Sequence, residues 1–385
     1  MSIYQKASLV QIPSGYKAAD DKLYSVVPSN GDGDFTVTVA AGATRVNKDG
    51  LIESVAADQA RLNYNPTNPQ DPHLLLEPSR TNECLYSKTL SSWSELSGGS
   101  LQTITNNDAI APDGSLTAST ITFTGTGISL LRQFTNKAYT SNKHSSSFYA
   151  KKISGNGSVF FGITDTETEF TPTDEWVRYE VNNVTPTDFG TNLFLDLNFD
   201  CTAGDKIAVW GMQLEEETYS TSIIETSGSA VTRTADTCGD AGDGTIIKAE
   251  GSLFVDLTTS NTDNFKRISI TDASDSTNSI FIQLLQTSFA IQVVSGGTIL
   301  YSWGFSVSLS NRHKLALRYK DGDSQLYYNG TQQTATTTSG TWFTNGLLDT
   351  YSLNQGSFFN FYGEMYQTML FNEALTDSEL QTLTS

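Results

Sequence analysis

Histidine and cysteine are scarce in this chain, and its basic residues are few beside its acids. Its 385 residues include three histidines, three cysteines and 23 lysines plus arginines, against 42 aspartates plus glutamates, for a net charge of −19. With no basic stripe to grip a phosphate backbone and a field that repels anionic surfaces, nucleic acid and membrane insertion are not expected. Cys84, Cys201 and Cys238 are odd in number and far apart, which excludes a disulfide framework and any paired-cysteine metal clamp; they read as three small buried residues. His73, His144 and His313 show no ligand spacing, and there is no GxSxG, no HExxH and no phosphate-cradling glycine loop. The opening MSIYQKASLVQIPSGY has neither the basic end nor the apolar run of a secretory signal, and no apolar run reaches the ~18 residues of a membrane span. The expectation is synthesis in a reducing cytoplasm, with any route outward needing no signal.

Carboxylates are plentiful, but their spacing is wrong for catalysis. Glycoside hydrolysis needs two acids facing each other across a sugar bond, and the sandwich hydrolases of the laminarinase type alternate three acids along one strand. Here Glu215, Glu216 and Glu217 are consecutive, which throws neighbours onto opposite faces of a strand. No catalytic residue is assigned, no cofactor is expected, and the chain is read as a non-enzyme. Acids also sit on glycine-rich turns at Asp32 and Asp34, Asp240 and Asp243, and Asp321 and Asp323. Asp with Gly is ordinary turn chemistry, and none completes a calcium-binding loop, so no metal is expected; if one were held, Asp240 and Asp243 are the first choice.

What the chain does have is short alternating runs between Gly, Asn, Asp and Thr, with almost no helical periodicity. This is an all-β signature. In HKLALRYKDGDSQLYYNG, Leu315, Leu317 and Tyr319 alternate with Lys314, Ala316 and Arg318, KDGD makes a turn, and Gln325 to Tyr328 runs back to NG. Three regions separate by texture. Residues 1–80 hold most of the prolines and read as extended and irregular; residues 81–235 carry strands spaced as in a β-sandwich; DTCGDAGDGT at 236–245 reads as a boundary; and residues 246–385 carry a second antiparallel β set. A short helix is expected at the end, with Thr376 as N-cap, Glu379 three residues on, and Leu375, Leu380 and Leu383 on one side.

Within the first region, Pro66, Pro69, Pro72 and Pro78 remove backbone donors while Leu74 to Leu76 demand burial, which suggests an extended strap pinned to a larger body. Of the aromatics, Trp176 and Trp210 lie within apolar strands and are expected in the core. Trp303, Tyr328 and Trp342 lie near turns and polar residues, and are the candidate glycan contacts, since sugars stack their CH faces on exposed rings.

RLNY at 61–64, PHLLLEPSRTN at 72–82, LYS at 85–87 and Trp93, preceded by GDFTVTVAAGATRVNKDGLIESV at 33–55, together resemble a pattern of fibre and adhesin-like virion proteins of tailed bacteriophages. The middle region, through SFYAKK, DEWVRYEV and VWGMQLEEETYSTSIIETSGSAVTRTAD at 209–236, resembles carbohydrate-binding jelly rolls. HKLALRYKDGDSQLYYNGTQ and LFNEALTDSELQTLT make the last region similar to concanavalin A-like, laminin-G-like sandwiches. These resemblances imply a structural protein of the virion surface, a head or tail fibre or spike. Residues 1–80 would attach it to other virion proteins, the fibre resemblance suggests a homotrimer, the 74–82 strap would join that region to the first jelly roll with its leucines beneath the module, Arg80 and Asn82 would tie backbone, and the sandwiches would bind host surface polysaccharide. The alternatives are a tailspike depolymerase and a capsid decoration protein without ligand.

Overall fold

The computed structural model describes residues 2–12, 22–65, 68–96, 101–188, 192–259, 266–272, 275–308, 311–355 and 359–385. The fold is all-β, with antiparallel sheets throughout and one short α-helix, Asp377–Thr384, among the described residues. No described helix is long and apolar enough to cross a membrane.

The chain divides into two compact units, one of residues 1–50, 54–78 and 235–385 and the other of residues 51–53 and 79–234. The division differs from the three regions expected. Residues 1–80 do not stand apart as an attachment region: all but a few belong to the same unit as the C-terminal sandwich. The reason lies in backbone pairing. Leu9–Gln11 and the arm Asn68–Leu76 both pair with Gly363–Phe371 near the end of the chain, and Phe35–Thr38 pairs with Thr237–Gly239.

In this discontinuous unit the larger sheet runs in the order Thr331–Gln333, Gln325–Tyr328, His313–Tyr319, Gly251–Thr258, Gly363–Phe371, Asn68–Leu76, Leu62–Asn65. A six-stranded sheet, Thr336–Thr337, Thr298–Ser306, Ser288–Ser295, Asp275–Leu284, Lys266–Asp272, Thr350–Ser352, supplies the other layer. Leu253, Val255 and Leu257 of the first share one core with Ile268, Ile280, Ile291 and Trp303 of the second. Alternation explains the contact: in Ser288–Ser295 every second residue is buried. The outer side of the larger sheet is covered as well, by Ile3 and Ala7 near the start of the chain and by Leu375 and Leu380 beside and within the C-terminal helix. Thr376 caps that helix, its side chain accepting from the Glu379 backbone N–H, as the sequence indicates.

The expected strap is a strand. Pro69 and Pro72 lie where Asn68–Leu76 pairs only with its hairpin partner, whereas Leu74 to Leu76, which keep their N–H groups, pair with Gly363–Met365 on the other side. Leu74 and Leu76 enter the core of this unit rather than packing beneath the jelly roll. Just beyond, Glu77 and Asp236 bracket the inserted segment. The Glu77 N–H donates to Asp236 Oδ2 at 2.8 Å, the Asp236 N–H donates to the Glu77 carbonyl at 2.9 Å, and Arg61, fully buried, pairs with both carboxylates. Burial opposes the Arg61 charge, but Glu77 and Asp236 outweigh it and hold its pKa above the ordinary arginine value.

The inserted unit is a β-sandwich of two five-stranded sheets. One orders Gln102–Ala109, Ala118–Phe123, Lys206–Glu215, His144–Ser154, Val177–Val184; the other Thr166–Phe170, Ser158–Ile163, Asn192–Cys201, Gly127–Ala138, Ser94–Glu95. Phe123, Phe148, Phe161, Phe199 and Leu214 fill the space between them. Asn82 ties backbone as the sequence suggests: its amide donates to the Ile224 carbonyl at 2.7 Å, and its Oδ1 accepts from the Leu214 N–H at 3.0 Å. Trp210 is core, but Trp176 is not. Its ring is half-buried, and its indole N–H donates to the Ile110 carbonyl at 2.9 Å in an exposed setting.

Candidate functional site

The discontinuous unit has a groove of about 800 Å³ at one side of its sandwich. It forms where the outermost strand of each sheet, Thr331–Gln333 and Thr336–Thr337, lie a few residues apart in the chain, so one segment passes from one sheet edge to the other. Tyr301 and Trp342 supply its aromatic lining, Gln325, Gln332 and Gln333 its amides, and Asp321 and Asp323 its acids, with hydroxyls from Ser324, Thr334, Thr337, Thr338 and Ser339. The volume falls within the ~300–1,000 Å³ of small-ligand sites.

Each ring is held from behind. Tyr301 and Trp303 are two apart on the strand Thr298–Ser306 and therefore share a face; their rings stack at 5.9 Å with 13° between planes. Trp342 meets Tyr301 edge-on at 6.2 Å and Phe343 at 5.0 Å, and its indole N–H donates to the Ala249 carbonyl at 2.8 Å. Such anchoring lowers the ordering cost that a ligand must overcome.

The polar wall is built by two turns that the sequence reveals. Between Tyr319 and Gln325 the chain reverses through Gly322, at φ +68°, with the Asp323 N–H donating to the Lys320 carbonyl at 3.1 Å. Between Tyr328 and Thr331 it reverses through Asn329 and Gly330, both at positive φ, the signature of a type I′ hairpin. These turns align Gln325 and Gln332 across neighbouring strands, where the Gln332 amide donates to Gln325 Oε1 at 2.8 Å. Asp323 is neutralised by Arg318, whose Nη2 lies 2.7 Å from Oδ1. Asp321 is exposed.

Of the three glycan candidates read from the sequence, the structure brings only Trp342 to this groove. Trp303 is 1% exposed and offers no ring face to a ligand; its position near polar residues on the strand conceals an inward orientation. Tyr328 belongs to a different cluster. Its ring packs on Phe305 at 4.8 Å and its hydroxyl meets His313 Nδ1 at 3.0 Å, while burial raises its pKa above the ordinary tyrosine value. Tyr301 is not among the candidates that the sequence offers; residue type and parity do not separate it from Trp303, and only the packing of Trp342 against it places it on the groove. Asp240 and Asp243 form no cation site with a third ligand, and no described group of three His, Cys, Asp or Glu side chains could hold a metal. Asp243 instead accepts from the Thr245 N–H and hydroxyl at 2.7 and 2.6 Å, which holds its carboxyl below the ordinary aspartate value.

No family model and no curated protein matches the chain. Among solved structures, it is similar to the CBM40 of a Ruminococcus gnavus sialidase bound to α2,3-sialyllactose, at 13% identity over 38% of this chain and 93% of that one, with a TM-score of 0.32. Domain 4 of an extracellular arabinanase from Geobacillus stearothermophilus, in complex with arabinotriose, aligns at 14% identity over 44% of this chain and 84% of its own, with a TM-score of 0.32. A tandem CBM22 domain of Paenibacillus barcinonensis covers 76% of this chain and 97% of its own at 8% identity and a TM-score of 0.26.

Proposed function

We propose that this chain is a non-catalytic glycan-binding protein whose groove stacks a saccharide on Trp342 and Tyr301. The observation that carries the reading is the fixed ring pair set among amides and hydroxyls, since a sugar presents both an apolar CH face and a rim of hydroxyls. The motif resemblance in residues 33–93 supports a more specific setting: a fibre or spike of a tailed-bacteriophage virion, exposed on the particle surface and binding host surface polysaccharide. In that setting the early residues of the chain contact other virion proteins and the protein acts as a homotrimer. Weak sites then suffice, because linked copies raise avidity by ~10²- to 10⁴-fold.

Purified protein mixed with cells of the phage's host, either intact or stripped of surface polysaccharide, is expected to sediment with the intact cells only. Trp342→Ala and Tyr301→Ala should each weaken that binding by about tenfold or more, as anchor truncations do. A Trp342→Ala protein that melts as the parent does and still sediments would remove the groove from the function.

A further inference from the structure

The geometry points to the charge class of the ligand: the groove takes uncharged saccharides and turns away those bearing carboxylate, phosphate or sulfate groups. This deepens the glycan-binding reading and rests on it. Among the described residues, no lysine, arginine or histidine lines the groove. Arg318 touches its wall through Asp323, but the guanidinium is already engaged. Its Nη2 pairs with Asp323 Oδ1 at 2.7 Å, its Nε donates to the Asp323 carbonyl at 2.9 Å, and its Nη1 serves Asp377 at 2.7 Å and the Leu375 carbonyl at 3.0 Å. Lys320 adjoins the turn, yet its ammonium lies 3.8 Å from Glu250.

Asp321 remains as an exposed carboxylate on the groove with no ion pair among the described residues. An anionic ligand would lose hydration without gaining a cation and would meet a like charge. Hydroxyls fare differently. The side-chain amides of Gln325, Gln332 and Gln333 offer N–H donors and carbonyl acceptors without net charge, the pairing that neutral sugars require.

The test uses full-length protein and three forms of each of several hexose polymers, a glucan, a mannan and a galactan. These are the native form, the form with C6 hydroxyls oxidised to carboxylate, and the methyl ester of that carboxylate. The ester keeps the bulk of the oxidised group but not its charge. The expected result is that the carboxylate form of the polymer that binds is held about tenfold or more weaker than its ester. The gap should narrow as salt is raised from 20 to 500 mM, because repulsion is screened, and should narrow again in Asp321→Asn. Carboxylate and ester bound equally well, through a Trp342-dependent site, would overturn the inference while leaving glycan binding in place. If no form of any polymer bound, the glycan-binding reading itself would fall and the inference with it.

Discussion

Arg61 shows how much one side chain can decide. The RLNY and LLLEP segments are neighbours in sequence but the aspartate of TRTAD is far from both, and all three meet at this guanidinium, which pairs with Glu77 and Asp236 and also donates to the Thr44 carbonyl at 3.1 Å. Removing the cation alone would leave two carboxylates in a closed interior. Arg61→Met is therefore expected to cost about 3–5 kcal/mol. Adding Glu77→Gln and Asp236→Asn to it should recover part of the loss, because the uncompensated charges go. Denaturant titration of the three proteins, followed by tryptophan fluorescence, reads both effects. An Arg61→Met midpoint equal to the parent's would mean that the cluster contributes nothing. The tryptophans teach the converse lesson. Polar neighbours suggest exposure for both Trp303 and Trp342, yet only the second reaches the groove, because Trp303 is enclosed by the core between the two sheets whatever its neighbours in sequence.

At the scale of an element, the C-terminal helix is the part most completely written in the sequence. Threonine, then glutamate three residues on, gives the capping box, and Leu380 gives the buried face. What the pattern does not reveal is Lys6, from the other end of the chain, whose ammonium lies 2.7 Å from Glu379 and 3.1 Å from Glu373. The Lys6 contact, with the Thr376 N–H, lowers the Glu379 carboxyl from 4.5 to about 2. A carboxylate depressed in the folded state contributes stability that is present above its unfolded value and lost as pH falls through the folded one, here between about 4.5 and 2. NMR titration of the Glu379 side-chain carbonyl should find a midpoint near 2 that moves upward toward 4.5 in Lys6→Ala. A midpoint unaffected by Lys6→Ala would show that the cap alone sets it.

For the whole molecule, chain order and spatial order part company. Residues 79–234 form their own sandwich with their own core, inserted into a unit whose pieces come from both sides of them. Two hydrogen bonds between Glu77 and Asp236, one backbone to backbone and one from the Glu77 N–H to the Asp236 carboxylate, bring the two crossing points together within that outer unit. Replacing residues 79–234 with a short Gly-Ser linker is thus expected to leave a unit that melts cooperatively and still binds the polysaccharide held by the full chain, because loop closure there costs little. Failure of the spliced chain to fold would show that the outer sandwich depends on the insertion.

The sequence by itself determined the strands, the tight turns at Gly322 and Asn329–Gly330, the capped helix and the all-β class, because alternation, turn chemistry and capping act between residues a few positions apart. It also flagged Trp342 by residue type. Only the tertiary structure decided that the first strands complete the last sheet, that Glu77 and Asp236 share one arginine, and that Tyr301 rather than Trp303 stands beside Trp342. Pairing across hundreds of residues is selected by which edges and faces remain to be buried once the local elements exist. No short window of sequence contains that information.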